Sequence, residues 1–187
     1  MFKKTISLLV LGIVFFLVFG CKDDVLPKPA SHLRLDYPEA EYVLFENSCP
    51  FTFYINSEAE IKEKIPCNFE IHYPKMKATI YISYKPINNN LKLLLKDAQK
   101  LTYEHVIKAD AITDQPFINQ KNKVYGMFYQ VNGNAATNAQ FYATDSIKNF
   151  IDCSVYFYAK PNYDSIYPAV SYVKNDMRRL MESLKWK

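Results

Sequence analysis

Alternation of apolar and polar residues predicts short β-strands along most of the chain. The clearest run alternates Ile80 and Ile82 with Tyr81 and Ser83 and ends at Pro86. A period of two places the two isoleucines on one face of a strand. Alternation and short apolar runs predict further strands at residues 42–45, 51–55, 69–73, 124–131, 139–144 and 151–159.

Two other segments repeat apolar residues at helical spacing. The first follows the asparagines at 88–90, whose side chains are expected to cap the free N–H groups of the first turn, and it should end near Ile107. The second follows a turn at 161–165, with Asp164 and Ser165 as capping candidates and Pro168 near its first turn. Its predicted apolar stripe is Val170, Val173, Met177, Leu180 and Leu184, and residues 176–179 are expected to form an exposed charged face.

The order of elements predicts an α+β fold with a mainly antiparallel sheet flanked by helices. Asn132 and Gly133 favour a tight hairpin, and Asp145 is expected to close a second turn by binding its own backbone. The order is strands, a helix, a three-stranded meander and a helix, which resembles the PsbP/Mog1 type of sandwich.

The first twenty residues predict a lipoprotein signal peptide that ends at Cys21. Lys3 and Lys4 precede an apolar run at 6–19, and Gly20 stands directly before the cysteine, as lipoprotein processing requires. The run is shorter than the roughly 20 residues that span a bilayer, which disfavours a transmembrane helix, and its length suits a signal peptide. An ordinary secretory signal with a chance cysteine is the alternative.

We therefore predict three segments: a signal peptide over 1–20, a lipidated tether over 21–40 and a single globular domain over 41–187. Acyl chains on Cys21, palmitate among them, would anchor the protein stably, because two chains already suffice. A proline-rich tether extends by about 3.1 Å per residue and can hold the domain tens of ångströms from the membrane.

Charge and glycine content exclude two classes of function. Removal of the signal peptide takes away Lys3 and Lys4, so the formal net charge falls from +4 to +2. A nucleic-acid-binding protein needs a strongly basic face, so no nucleic acid is expected as a partner. Gly126 and Gly133 are the only glycines after the signal peptide, which excludes a Gly-rich phosphate loop.

Three cysteines remain besides the one that is lipidated. An odd number leaves at least one of them unpaired in an oxidising compartment. Cys153 shares a strand face with Val155 and is predicted to be buried. Cys49 and Cys67 are therefore the disulfide candidate, with free thiols or a bond to Cys153 as alternatives.

The sequence shows no arrangement of residues that carries known chemistry. His32, His72 and His105 stand in none of the spacings used for metal binding or catalysis. We predict no catalytic residue, no metal site, no cofactor and no enzymatic activity.

Three tyrosines form a candidate contact surface. Alternation places Tyr81 opposite Ile80, and it places Tyr156 and Tyr158 opposite Val155. If the helices leave this face open, the tyrosines offer a protein or glycan contact, since Tyr gives a large contact area at low entropic cost. The alternative is that the helices cover them.

Segments along nearly all of the chain after Cys21 are similar, in order, to those of one known family. They lie at residues 27–29, 34–38, 77–86, 89–90, 124–126, 134–142, 144–146, 156–159, 161–165 and 180–187. By these segments the chain resembles the gliding motility lipoprotein family GldD of the Bacteroidetes. The likeness is least clear over 42–66, and the position of the cysteine predicted to be lipidated agrees with the family.

The resemblance implies a non-enzymatic accessory component of the gliding apparatus, which works alongside the type IX secretion system. It implies no functional residue except the lipidated Cys21. The expected partners are the membrane and other gliding or secretion proteins, and the expected location is the cell envelope, at the outer membrane facing the periplasm. Two alternatives are an envelope ligand- or glycan-binding lipoprotein, and a hydrolase that pairs His72 or His105 with a carboxylate and an activated hydroxyl.

Overall fold

The computed structural model describes residues 37–104, 109–158 and 163–187. The signal peptide, Cys21, His32, His105 and the predicted helix end at Ile107 lie outside these ranges. In the described part of the chain, no helix is long and apolar enough to cross a membrane. Its elements are β1 (Tyr42–Phe45), β2 (Phe51–Asn56), β3 (Glu60–Ile65), β4 (Asn68–Tyr73), β5 (Ala78–Pro86), α1 (Leu91–Tyr103), β6 (Ala111–Asn119), β7 (Val124–Asn132), β8 (Thr137–Thr144), β9 (Asn149–Phe157), α2 (Tyr163–Ser183) and β10 (Lys185–Trp186).

Seven strands form one antiparallel sheet in the order β3-β4-β5-β9-β8-β7-β6. The other three form a small sheet in the order β1-β2-β10. This arrangement confirms the predicted α+β class with a mainly antiparallel, sandwich-like architecture.

The main core lies between the inner face of the large sheet, α2 and β2. Alternation in β2 buries Phe51, Phe53 and Ile55. The predicted apolar stripe of the last helix is confirmed, because Val170, Val173, Met177, Leu180 and Leu184 are all buried. Burial of a side chain of this size contributes about 1.5–3 kcal/mol, so this interface holds most of the hydrophobic stabilisation.

Helix α1 covers only part of the outer face of the large sheet. Leu94 and Ala98 pack on Tyr129, Tyr142 and Phe150, which belong to β7, β8 and β9. The outer side chains of β4, β5 and the end of β9 lie beside this cluster. The position of α1 therefore decides which outward-facing residues stay accessible.

The predicted side-chain cap of α1 is wrong. The Asn90 side-chain oxygen accepts the N–H of Asn88 at 2.8 Å and caps no helical N–H. The Asn90 backbone carbonyl accepts the N–H groups of Leu93 and Leu94 instead. The side-chain oxygen of Asn90 therefore closes the preceding turn, and its backbone carbonyl accepts the first bonds of the helix.

The predicted hairpin at Asn132 and Gly133 is confirmed, because β7 pairs with β8 and Gly133 has a φ of 100°, although the connection begins at Gly133 and is longer than a two-residue turn. The turn at Asp145 is confirmed too. Four residues, 133–136, connect β7 to β8, and Asn138 braces them by donating to the carbonyls of Val131 and Gly133. The Asp145 carboxylate accepts the N–H groups of residues 147–149 at 2.8–2.9 Å.

The sequence pattern does not predict three of the strands, namely β3, β6 and β10. Both β3 and β6 lie at the edges of the large sheet, so the predicted three-stranded meander has a fourth strand, β6. Charged residues and a proline are tolerated at an edge, because one side of the strand faces solvent. The sequence of β3 is EIKEKI, and β6 contains Pro116.

Candidate interaction surfaces

The three predicted tyrosines lie together on the open part of the outer face. The rings of Tyr81 and Tyr156 meet edge to face with centroids 5.7 Å apart, and the hydroxyls of Tyr81 and Tyr158 share a hydrogen bond. With Ala136 and Phe157 they line an open recess of about 480 Å³. We call Tyr81, Tyr156 and Tyr158 the tyrosine surface.

The strand register produces the tyrosine surface. Tyr156 pairs with Thr79 and Ser154 pairs with Tyr81, so the two tyrosine rings lie on a diagonal across β5 and β9. Tyr158 follows β9, and its N–H donates to the carbonyl of Lys77, which extends the ladder by one bond. Tyr158 is 61% exposed. The hydrogen bond to Tyr158, together with burial, raises the pKa of Tyr81 to about 12.

Beside this surface, His72 lies between a carboxylate and a hydroxyl. Its Nδ1 is 3.0 Å from Thr79 Oγ1, and its Nε2 is 3.1 Å from Glu70 Oε2. The order of the three groups resembles that of a hydrolytic triad. Thr79, however, is only 2% exposed, so a substrate carbonyl cannot approach its hydroxyl. The arrangement is explained by cross-strand pairing of His72 with Thr79.

The expected exposed charged face at 176–179 is wrong, because Asp176 is 4% exposed. Its carboxylate accepts the Tyr42 hydroxyl at 2.6 Å and the Asn56 amide at 2.9 Å, and it also accepts the Tyr73 hydroxyl. Asn56 donates further to the Tyr172 hydroxyl at 2.9 Å. Burial raises the pKa of Asp176, although its three hydrogen-bond donors oppose the shift.

The neighbouring arginines of α2 lie over aromatic rings. The guanidinium of Arg178 is 4.7 Å from the Phe128 ring centroid and donates to the Gln115 side chain at 2.6 Å. Arg179 lies within 6 Å of the ring centroids of Tyr42 and Tyr54. Both guanidinium groups therefore lie within cation–π distance of aromatic rings.

The helical spacing of apolar residues in α2 indicates that Asp176 is buried, although the charged residues within 176–179 suggest an exposed face. Asp176 is three residues after Val173 and four before Leu180, so it shares the apolar face of α2. The sequence gives no corresponding signal for Tyr42, Asn56 and Tyr73, because long-range packing brings them to Asp176.

A second recess of about 270 Å³ lies next to the Asp176 cluster. Tyr37, Tyr73 and Tyr172 line it together with Pro38, Pro74, Met76, Glu58, Glu60 and Lys75. The Tyr37 and Tyr172 rings are 5.3 Å apart at their centroids. This contact places the first described residue of the chain against α2.

The cysteines take two different environments. Cys49 and Cys67 form a disulfide. Cys153 is a free, fully buried thiol, and burial raises its pKa. Within the described ranges, no group of three or more His, Cys, Asp or Glu side chains is placed to hold a metal ion.

The fold and these surfaces define an α+β sandwich domain with an open aromatic face. The family model described as gliding motility lipoprotein GldD matches residues 22–186, which is nearly the whole chain. The chain therefore belongs to the GldD family of gliding motility lipoproteins. A comparison with curated proteins found no match.

Proposed function

We propose that this protein is a non-enzymatic, lipid-anchored accessory component of the gliding apparatus and its type IX secretion machinery. The observation that carries the proposal is the family match, which begins at residue 22, directly after the predicted lipidation site Cys21. In this proposal the signal peptide, 1–20, is removed, and the tether, 21–40, links the domain, 41–187, to the outer membrane on its periplasmic side.

The geometry around His72 supports a role without catalysis. A nucleophilic hydroxyl must reach the substrate as well as its base, and the buried Thr79 does not meet the first requirement. The proposed contact with other gliding or secretion proteins is the tyrosine surface, where one exposed and two half-buried aromatic rings offer contact area at low entropic cost.

The experiment is complementation of a strain that lacks the protein. We expect the wild-type gene to restore colony spreading and secretion, and we expect Cys21→Ala to fail although the protein is made. A deletion strain that spreads and secretes normally would show that the proposed role is wrong.

A second candidate function is binding of a glycan or another small ligand. The open recess beside Tyr81 favours it, because sugar rings stack on exposed aromatic faces. Titration with envelope glycans tests this candidate: binding that Tyr81→Ala and Tyr158→Ala abolish, and that Tyr103→Ala leaves intact, would favour ligand binding over a purely protein contact.

A further inference from the structure

One corner of the domain gathers five lysines around the only tryptophan of the chain. We call it the lysine corner: Lys121, Lys123, Lys148, Lys185 and Lys187. All five are exposed, and with Trp186 they line a recess of about 410 Å³. We propose that the lysine corner docks the domain onto the phosphate headgroups of an anionic membrane. This proposal rests on the lipid anchor of the proposed function.

The sheet topology brings the lysines together from three parts of the chain. Tyr125 pairs with Thr144, so the β6–β7 and β8–β9 turns lie at the same end of the large sheet. The indole N–H of Trp186 donates to the Lys123 carbonyl at 3.1 Å, and its ring packs edge to face on Phe51. The hydrogen bond and the ring packing of Trp186 therefore hold the lysine corner in place.

The positive charge of the corner is not balanced locally. Residues 37–187 contain 18 Lys and Arg against 16 Asp and Glu, so the domain as a whole is nearly neutral. Asp145 also lines the corner, so one carboxylate stands against five ammonium groups, and its oxygens accept the N–H groups of its own turn. Among the described residues, none of the five ammonium groups forms an ion pair with a carboxylate. Such a cluster attracts anions.

Exposed apolar side chains beside the lysines favour a membrane over a free anion. Ile147 lies in the β8–β9 turn and Ile118 at the end of β6, and each is 68% exposed. Apolar residues among lysines insert at the boundary between headgroups and acyl chains, and tryptophan is enriched at the same depth. These isoleucines would contribute nothing to the binding of a free phosphate ion.

The tether is long enough for the corner to reach the membrane that holds the anchor. The chain enters near Tyr172 and Asn56, at one end of β2, whereas Trp186 contacts Phe51 at the other end. The length of β2 separates them by about 17 Å. Residues 22–36 would span about 45 Å if extended, which exceeds that separation.

Trp186 provides the measurement, because it is the single tryptophan. The full-length lipidated protein is placed in vesicles of phosphatidylcholine, with or without phosphatidylglycerol, that contain lipids brominated near the headgroup. We expect quenching of Trp186 fluorescence only with phosphatidylglycerol, and we expect high salt to reverse it. Replacement of Lys121, Lys123 and Lys148 by Gln should weaken docking roughly 100-fold, at about fivefold per lysine.

The matched control replaces Lys92, Lys96 and Lys100, which are exposed on α1, by Gln. This variant changes the charge equally and should keep the quenching. Equal quenching in both vesicle types, no quenching in either, or no effect of the lysine-corner variant would overturn the proposal. A shift of Trp186 emission by inorganic phosphate without vesicles, at matched ionic strength, would assign the corner to a free anion instead. Flotation with vesicles of phosphatidylcholine alone, which Cys21→Ala should abolish, reports the anchor separately from the lysine corner.

Discussion

At the residue scale, the buried carboxylate of Asp176 joins three parts of the chain. Its partners come from β1, β2 and β4, and it lies on α2. We expect Asp176→Ala to lower the free energy of unfolding by about 2–4 kcal/mol, because it leaves the donors of Tyr42, Asn56 and Tyr73 without an acceptor. Urea denaturation measures this change, and a loss below about 1 kcal/mol would contradict the described network.

Ionisation of Asp176 makes the free energy of unfolding depend on pH, and the raised pKa fixes the sign of this dependence. Burial raises its pKa above the ordinary value of 3.8, so the folded state holds the proton more tightly than the unfolded state. Its contribution to stability is therefore largest below pH 3.8 and is lost as pH rises through the folded pKa. Asp176→Asn should remove this part of the pH dependence.

The measurement is the unfolding free energy of both proteins at several pH values from about 4 to 7. Asp152 has a raised pKa too, through burial, and it remains in both proteins, so only their difference reports Asp176. A difference that is constant across this range would contradict the raised pKa.

The disulfide and the buried thiol should differ in reactivity. Cys49 and Cys67 are 18 residues apart in sequence, and a bond that closes such a loop contributes about 3 kcal/mol. We expect the Cys49→Ala/Cys67→Ala variant to lose stability of this order, whereas Cys153→Ala should lose about 1 kcal/mol or less. Peptide mapping after alkylation of the native protein should find Cys49 linked to Cys67 and Cys153 unmodified. Alkylation of all three residues would contradict this pairing.

At the element scale, β7 depends on a glycine where it passes β8 and α2. A Cβ atom at Gly126 would lie 2.1 Å from the Tyr142 backbone oxygen and 2.8 Å from the Met181 side chain. Met181 can move, but the backbone of a central strand cannot move cheaply. We expect Gly126→Ala to cost at least about 2 kcal/mol, measured by thermal unfolding. An unchanged melting temperature would show that β7 and β8 are less closely packed at Gly126 than these distances indicate.

The elements predicted from the sequence are those with strong periodicity. The central strands and α2 have one buried face, and burial imposes the alternation or the apolar stripe that the sequence displays. Strands β3 and β6 lie at the edges, where solvent imposes no such pattern and admits Lys62, Lys64 and Pro116. Strand β10 pairs with β2. It has two residues, which are too few to show a period.

At the scale of the whole molecule, surfaces were partly predictable and networks were not. Alternation placed the tyrosine surface on one face, but only the position of α1 decides that this face is open. Neither the Asp176 cluster nor the lysine corner follows from local pattern, because each joins residues more than fifty positions apart.

The tyrosine surface predicts a selective loss of partner binding. Replacement of Tyr81 and Tyr158 by Ala should reduce the recovery of partner proteins severalfold without unfolding the domain, since Tyr158 is exposed and Tyr81 is half-buried at the recess. Tyr103→Ala, at another exposed tyrosine, is the matched control. Equal recovery from both variants would place the contact elsewhere.

The central claim is that the protein acts as an anchored component of the gliding and secretion machinery. The most direct test is affinity capture of the full-length protein from membranes followed by mass spectrometry, with Cys21→Ala as the unanchored control. We predict that gliding or type IX secretion proteins are captured with the lipidated form and lost with Cys21→Ala. Repeated capture of none of these proteins, from a stable and correctly anchored protein, would contradict the claim.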